Sequence, residues 1–290
     1  MKAGSSGDDP NATEREFWSG DPGGSWVELA DPLEVLFGPF GDVLLEHAAI
    51  EPGQRILDIG CGMGATTRRA AMLSGPEGHV TGLDISSTML SGAARVPVPP
   101  GSAPIDWIEA DAQTHDFGAD RFDRVISRMG VMFFADPGAA FANLLHATAP
   151  GGRFTAICWR RGADALWFKL GAEAVAEVLG PPAPADPNAP GPMAFADGDR
   201  VTGLMRAAGW LDARVATVPV VLRPGGGIDG AMTMMTRFGP AGRAIREAGP
   251  DEETGKRIFA ALRTRIEPYI EGDSVALPVV MNLFTARAGG

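Results

Sequence analysis

The chain has 290 residues, 45% of them hydrophobic and 21% charged, with a formal net charge of -11. This is the composition of a globular protein with ample core, and the length fits one α/β domain with insertions. The acidic balance argues against a nucleic-acid partner, which needs Lys and Arg to neutralise phosphates. The longest apolar runs fall short of the ~18 residues of a membrane span, and no signal-peptide apolar region follows Met1, so a cytoplasmic location is expected.

Met1 to Asn11 is rich in Gly, Ser and Asp and is expected to be disordered. Glu14 to Ile50 interleaves Trp18, Trp26, Leu33, Leu36, Phe37, Phe40 and Leu44 with acids. It reads as short helices broken at Pro22-Gly23-Gly24, Asp31-Pro32 and Gly38-Pro39, and is expected to form a cap over a ligand cleft. Next comes Gln54-Arg55-Ile56-Leu57-Asp58-Ile59-Gly60-Cys61-Gly62-Met63-Gly64. Ile56 to Ile59 reads as a buried parallel strand, the alternating glycines as a tight turn, and Ala65 to Leu73 as a helix stopped by Gly75-Pro76. Strand, glycine loop and helix open a nucleotide-binding α/β unit.

A dinucleotide needs G-x-G-x-x-G with its pyrophosphate on the helix N-terminus. Here the third glycine comes one residue early, and Asp58 at the strand end would repel a pyrophosphate. The same carboxylate suits S-adenosylmethionine (SAM), which carries an ammonium and a sulfonium and no phosphate. The strand His79 to Asp84 ends in a second acid about 20 residues beyond the loop, where a carboxylate accepts both ribose hydroxyls. Ile85 would flank the adenine. A third strand, Ile105 to Ala110, leads to Asp111-Ala112, where Asp111 can accept from the adenine amino group and the Ala112 N–H can donate to a ring nitrogen. Phe122 to Arg128 is the fourth strand. Cys61 fills a small-residue slot of the loop, and with Cys158 it makes no disulfide framework.

These residues, in this order and spacing, resemble the class I SAM-dependent methyltransferases. The pattern Leu144-Leu145 … Ala149-Pro150-Gly151-Gly152-Arg153 resembles the family again. The resemblance implies a Rossmann-like α/β fold: a seven-stranded, mostly parallel sheet in the order 3-2-1-4-5-7-6, with the last strand antiparallel and helices on both faces. It implies SAM as cofactor and S-adenosylhomocysteine (SAH) as product. The cofactor residues it implies are Asp58, Gly60, Cys61, Gly62, Asp84, Ile85, Asp111, Ala112, Ser127 and Arg128.

The rest of the chain alternates as such a sheet requires. Pro137 to Ala149 is read as a helix, Pro150-Gly151-Gly152 as a turn, Arg153 to Trp159 as a fifth strand, Arg214 to Leu222 as a sixth and Val279 to Ala286 as the closing strand. Residues 1–50 are expected as tail and helical cap. Residues 51–290 are expected as the catalytic domain, with helical lid insertions at about 160–198 and 223–276; the first contains a proline-rich loop over Pro181 to Pro192.

No Asn/Asp-Pro-Pro-aromatic motif follows the fourth strand, no cysteine suits cytosine C5 chemistry, and no His/Asp/Glu cluster has metal-ligand spacing. A small-molecule enzyme remains, most similar to the ubiquinone/menaquinone-biosynthesis-like branch, which also holds many enzymes of specialised metabolism. Ligand pockets are mostly apolar. The expected acceptor is a hydrophobic, aromatic or prenyl-like metabolite bound by Trp18, Trp26, Met129, Trp159, Met232 and Met235. The methionines read equally well as plain packing. His115 is the best-placed candidate base, in a loop after Asp111-Ala112. Two alternatives stay open at this point: an NAD(P)-binding oxidoreductase, and a protein of this fold that binds SAM without methyl transfer. The sequence specifies no oligomeric state.

Overall fold

The computed structural model describes residues 9–161, 164–182 and 186–290. Five strands run parallel: β1 (Arg55–Ile59), β2 (His79–Asp84), β3 (Ile105–Glu109), β4 (Phe122–Arg128) and β5 (Thr148–Trp159). Strand β6 (Leu211–Leu222) and the closing strand β7 (Leu277–Arg287) complete the sheet. Its order is β3-β2-β1-β4-β5-β7-β6, with β7 antiparallel to both neighbours. The order and the antiparallel strand are those the resemblance implied.

Successive residues of the central strands are buried on both faces. Ile56, Leu57, Val80, Val125, Ile126, Ala156 and Ile157 have no exposed surface. An apolar run, without alternation, is what a sheet covered on both sides requires. The covering helices include α4 (Ala65–Ser74) after the glycine loop, α5 (Ser87–Ala93), α6 (Pro137–Ala147) and α8 (Gly198–Ala207). Ser86 caps α5 by accepting from Met89 N–H at 3.1 Å, and Asp136 caps α6 by accepting from Ala139 N–H at 3.0 Å. Strand β5 starts earlier than the sequence suggests. Thr148 already pairs with Phe122, a bulge follows, and the register resumes at Arg124 and Arg153. Pro150-Gly151-Gly152 thus lies in the bulge and helix α6 ends at Ala147.

The N-terminal segment forms α1 (Ala12–Ser19), α2 (Asp21–Glu28) and α3 (Ala30–Ala48). The expected breaks at Pro22-Gly23-Gly24, Asp31-Pro32 and Gly38-Pro39 do not occur; the chain breaks at Gly20 and Leu29. Pro22 and Pro32 sit in first turns, where the missing N–H has no helical partner anyway. Pro39 lies inside α3. The burial of Leu36, Phe37, Phe40 and Leu44 against β4 and β5 holds that helix together despite the lost bond. Arg124 clamps its far end, donating to the carbonyls of Ala48 at 3.0 Å and Ala49 at 3.2 Å.

The expected disorder of residues 1–8 falls outside the described residues. Asn11, also expected to be disordered, is instead ordered and 3% exposed. Of the proline-rich loop, residues 183–185 lie outside the description. Helix α7 (Leu166–Leu179) follows β5, while α9 (Gly227–Arg237), α10 (Gly239–Ala248) and α11 (Glu252–Ile266) lie between β6 and β7. Among the described residues no helix is long and apolar enough to cross a membrane.

Candidate cofactor and acceptor site

The site forms where β1, β2, β3 and β4 end side by side. The loop after β1 turns through left-handed glycines, Gly60 at φ +64°, Gly62 at +53° and Gly64 at +73°. Gly60 has a second constraint: a Cβ there would lie 2.6 Å from Gly130 Cα in the loop after β4. Ser127 fastens that crossing. Its hydroxyl donates to Ile59 C=O at 2.8 Å and accepts from the N–H of Gly130 at 3.1 Å and of Val131 at 3.2 Å. With its one proton already donated, Ser127 acts on the loops and has no hydrogen left for a ligand.

Two buried acids lie behind the loop. Asp58 is 1% exposed and accepts from the Thr67 hydroxyl at 2.7 Å. Burial pushes its carboxyl up to about 7; the nearby Asp84 adds to this, while the Thr67 bond and the Arg128 charge pull the other way. Asp84 accepts from Gly62 N–H at 2.7 Å on one oxygen and from Ser86 N–H at 2.9 Å on the other. Burial raises its pKa too, resisted by those backbone donors. The Cys61 thiol is raised by burial and by both carboxylates, so it stays protonated and is no nucleophile. Ile85 is half-buried beside Asp84. Asp111 and Ala112 are buried at the end of β3.

A further buried hydroxyl, Thr66 Oγ1, stands unpartnered in the first turn of α4. Arg128 points to the cap, pairing with Glu34 at 2.8 Å and donating to Phe37 C=O at 3.3 Å. Its charge still reaches Asp58.

On the β4 and β5 side the cap builds an aromatic wall. Trp18 meets Trp26 edge-on at 5.7 Å and Phe133 at 5.2 Å. Trp26 stacks on Phe37 at 6.1 Å and meets Phe238 edge-on at 5.8 Å. Trp159, at the end of β5, packs against Phe40 at 5.2 Å and Phe168 at 4.5 Å. The structure therefore brings Trp18, Trp26 and Trp159 into one wall. Met129 adjoins it in a left-handed conformation, φ +66°, with its N–H on Ile157 C=O. Met232 and Met235 are 5% and 1% exposed where α9 packs on α7, which is the packing role.

His115 lies elsewhere. Its ring packs edge-on against Phe117 at 4.7 Å, and it lines an open cleft of about 420 Å³ with Asp111, Thr114 and Arg15 at the β3 edge. The loop that carries it reaches back to α6 and β4: Asn143 Nδ2 donates to Ala112 C=O at 3.0 Å and to His115 C=O at 2.9 Å, and Phe117 meets Phe122 edge-on at 6.0 Å. Sequence reasoning missed Asn11, Thr67, Gln113, Phe133 and Phe238. Thr67 had a local signal, its place one turn into the helix after the glycine loop; the others have none. Among the described residues no group of three or more His, Cys, Asp or Glu assembles a metal site.

The residues fit SAM. The glycines open the backbone where a ligand must approach, and among the described residues Asp58 and Asp84 have no ion-pair partner in contact. The site is a carboxylate-lined glycine loop at the strand ends of a Rossmann-like sheet. A family model described as a methyltransferase domain matches residues 56–152. Aklanonic acid methyltransferase of Streptomyces sp. (strain C5) is 36% identical over 128 residues, 43% of this chain and 58% of that protein. A ubiquinone/menaquinone biosynthesis C-methyltransferase of Ectopseudomonas mendocina is 30% identical over 127 residues, covering 43% and 50%. The chain spans about half the length of the curated relatives it matches. The solved phosphoethanolamine N-methyltransferase 2 of Haemonchus contortus, in complex with SAM, superposes with a TM-score of 0.56 at 18% identity, covering 95% of this chain and 60% of that one. Residues 56–152 thus match a methyltransferase domain, and the seven-stranded sheet has the Rossmann-like order of the class I SAM-dependent methyltransferases that the chain resembles.

Proposed function

We propose that this protein binds SAM and transfers its methyl group to a small hydrophobic metabolite, aromatic or prenyl-like. The observation that carries the reading is the pairing of two buried acids, Asp58 and Asp84, with an aromatic wall across the glycine loop. A dinucleotide pyrophosphate finds no such welcome at Asp58. Asp84 would hold the ribose, Asp111 and Ala112 the adenine, and Asp58 the ammonium end. Bound SAM supplies an electrophilic methyl group on sulfur. The chain's own task is then alignment: the wall of Trp18, Trp26, Phe133 and Trp159 orients an apolar acceptor and excludes water. Alignment alone is worth roughly 7–11 kcal/mol in well-oriented systems. The similarity to an aklanonic acid and a quinone-pathway methyltransferase supports an acceptor of this type.

The test titrates the protein with SAM, SAH and NAD(P), then incubates it with labelled SAM and a panel of polyketide, phenolic and prenylated acceptors. SAH release that depends on an apolar acceptor supports the proposal. Binding of SAM with no turnover across the panel favours a SAM-binding protein without transfer, and preference for NAD(P) refutes the cofactor.

A further inference from the structure

The segment ahead of α1 enters the place that the proposed function reserves for adenine. Asn11 Nδ2 donates to Asp111 Oδ2 at 2.7 Å and to Gln113 Oε1 at 3.2 Å, while Asn11 Oδ1 accepts from Ala135 N–H at 2.8 Å. The other Asp111 oxygen accepts from Gln113 N–H at 2.8 Å. An sp² nitrogen donating to Asp111 is the hydrogen bond an adenine amino group would make. The neighbouring seam covers the ribose side. Arg15 Nη1 donates to Ile85 C=O at 3.4 Å, Ser86 Oγ to Trp18 C=O at 2.6 Å and Thr88 Oγ1 to Ser19 C=O at 2.8 Å.

We infer that Asn11 is an internal competitor for the nucleobase seat: its carboxamide occupies Asp111, and a bound adenosyl group must displace it.

Three features suit a latch that opens. Helix α1 has no fully buried residue, and its start is held by polar bonds, the apolar contacts of Trp18 lying at its other end. Asn11 is the N-cap of α1, yet its side chain makes no capping bond, so its release leaves the helix intact. The cleft at the β3 edge is lined by Asp9, Pro10 and Arg15 on one wall and by Ala110, Asp111, Thr114 and His115 on the other. A ligand thus has a solvent path to Asp111 along the latch itself. When Asn11 leaves, Asp111 keeps its bond from Gln113 N–H and Gln113 Oε1 keeps Asp136 N–H at 2.9 Å. The seat therefore survives the exchange.

This inference rests on the proposed SAM site. Its test is calorimetric and stopped-flow titration of the full chain with SAH, using the wild type, Asn11→Ala and Asn11→Asp. Asn11→Asp removes the donor and sets a second carboxylate against Asp111. Both variants should bind SAH at least fivefold tighter, with a faster association rate. Amide exchange at residues 9–12 should accelerate when SAH is added to the wild type. Affinity unchanged within twofold, or weaker in Asn11→Ala and Asn11→Asp with the fold intact by circular dichroism, overturns the latch and makes Asn11 a residue that holds Asp111 in place. If no protein binds SAH, the cofactor reading fails first and the latch with it.

Discussion

Gly60 and Gly130 cross with their backbones in contact. A Cβ on Gly60 would lie 2.6 Å from Gly130 Cα, and a Cβ on Gly130 would lie 2.5 Å from Ile59 C=O and 2.7 Å from Gly60 Cα. The loops after β1 and β4 are thereby locked into one surface, with Ser127 bonded to both. Since the obstructing atoms are backbone, Gly130→Ala should destabilise the protein by about 1–3 kcal/mol. Denaturant unfolding measures the loss, and SAH affinity should fall with it because the glycine loop shifts.

Asp84 is expected to carry the ribose. Its removal would leave two ligand hydroxyls and the N–H groups of Gly62 and Ser86 without their acceptor, about 1–3 kcal/mol for a buried donor. Asp84→Ala should weaken SAH binding tenfold or more by calorimetry. An unchanged affinity in a folded variant removes Asp84 from the site.

Asp58 gives the site a pH dependence of definite sign. With its carboxyl raised to about 7, the protein holds a proton there below neutrality. A bound ammonium favours the carboxylate, so binding expels that proton. SAH affinity should fall as pH drops below 7, by up to about tenfold per unit for one linked proton, and level off above it. Asp58→Asn should bind weakly at every pH with this slope gone. Stability runs the other way. The folded pKa lies above the ordinary carboxyl value of 3.8, so between 3.8 and about 7 the unfolded chain holds fewer protons and stability declines as pH rises. Thermal melts of Asp58→Asn should lack that decline.

His115 tests whether catalysis needs a base. The ring packs on Phe117 and lines the cleft with Asp111 and Arg15, and among the described residues it makes no ring contact with Trp18, Trp26 or Trp159. His115→Ala, assayed at saturating SAM once an acceptor is found, should change kcat by less than tenfold. General-base catalysis typically contributes about 10²–10⁴-fold, and a fall of that size would restore His115 as the base.

The sequence by itself determined the sheet and the glycine loop with the acids that flank it. Ile56 to Ile59, the glycine alternation and Asp84 are legible because they obey local rules: a two-faced buried strand, left-handed turns, and an acid one strand later. Each rule acts within about 25 residues. Even the antiparallel last strand followed from the resemblance those motifs carry. Only the tertiary structure decided the rest. The wall joins Trp26 of α2 to Phe238 between α9 and α10, and the latch joins Asn11 to Asp111 and Ala135, contacts with no periodicity to announce them. Pro39 reads locally as a helix breaker, yet α3 runs through it because Phe37 and Phe40 are buried on the sheet. Asn11 reads as part of a disordered tail, since its composition offers nothing to bury. It is ordered because three polar partners from two distant strand ends converge on one carboxamide, and hydrogen bonds between groups that far apart in the chain exist only once the sheet has set their positions.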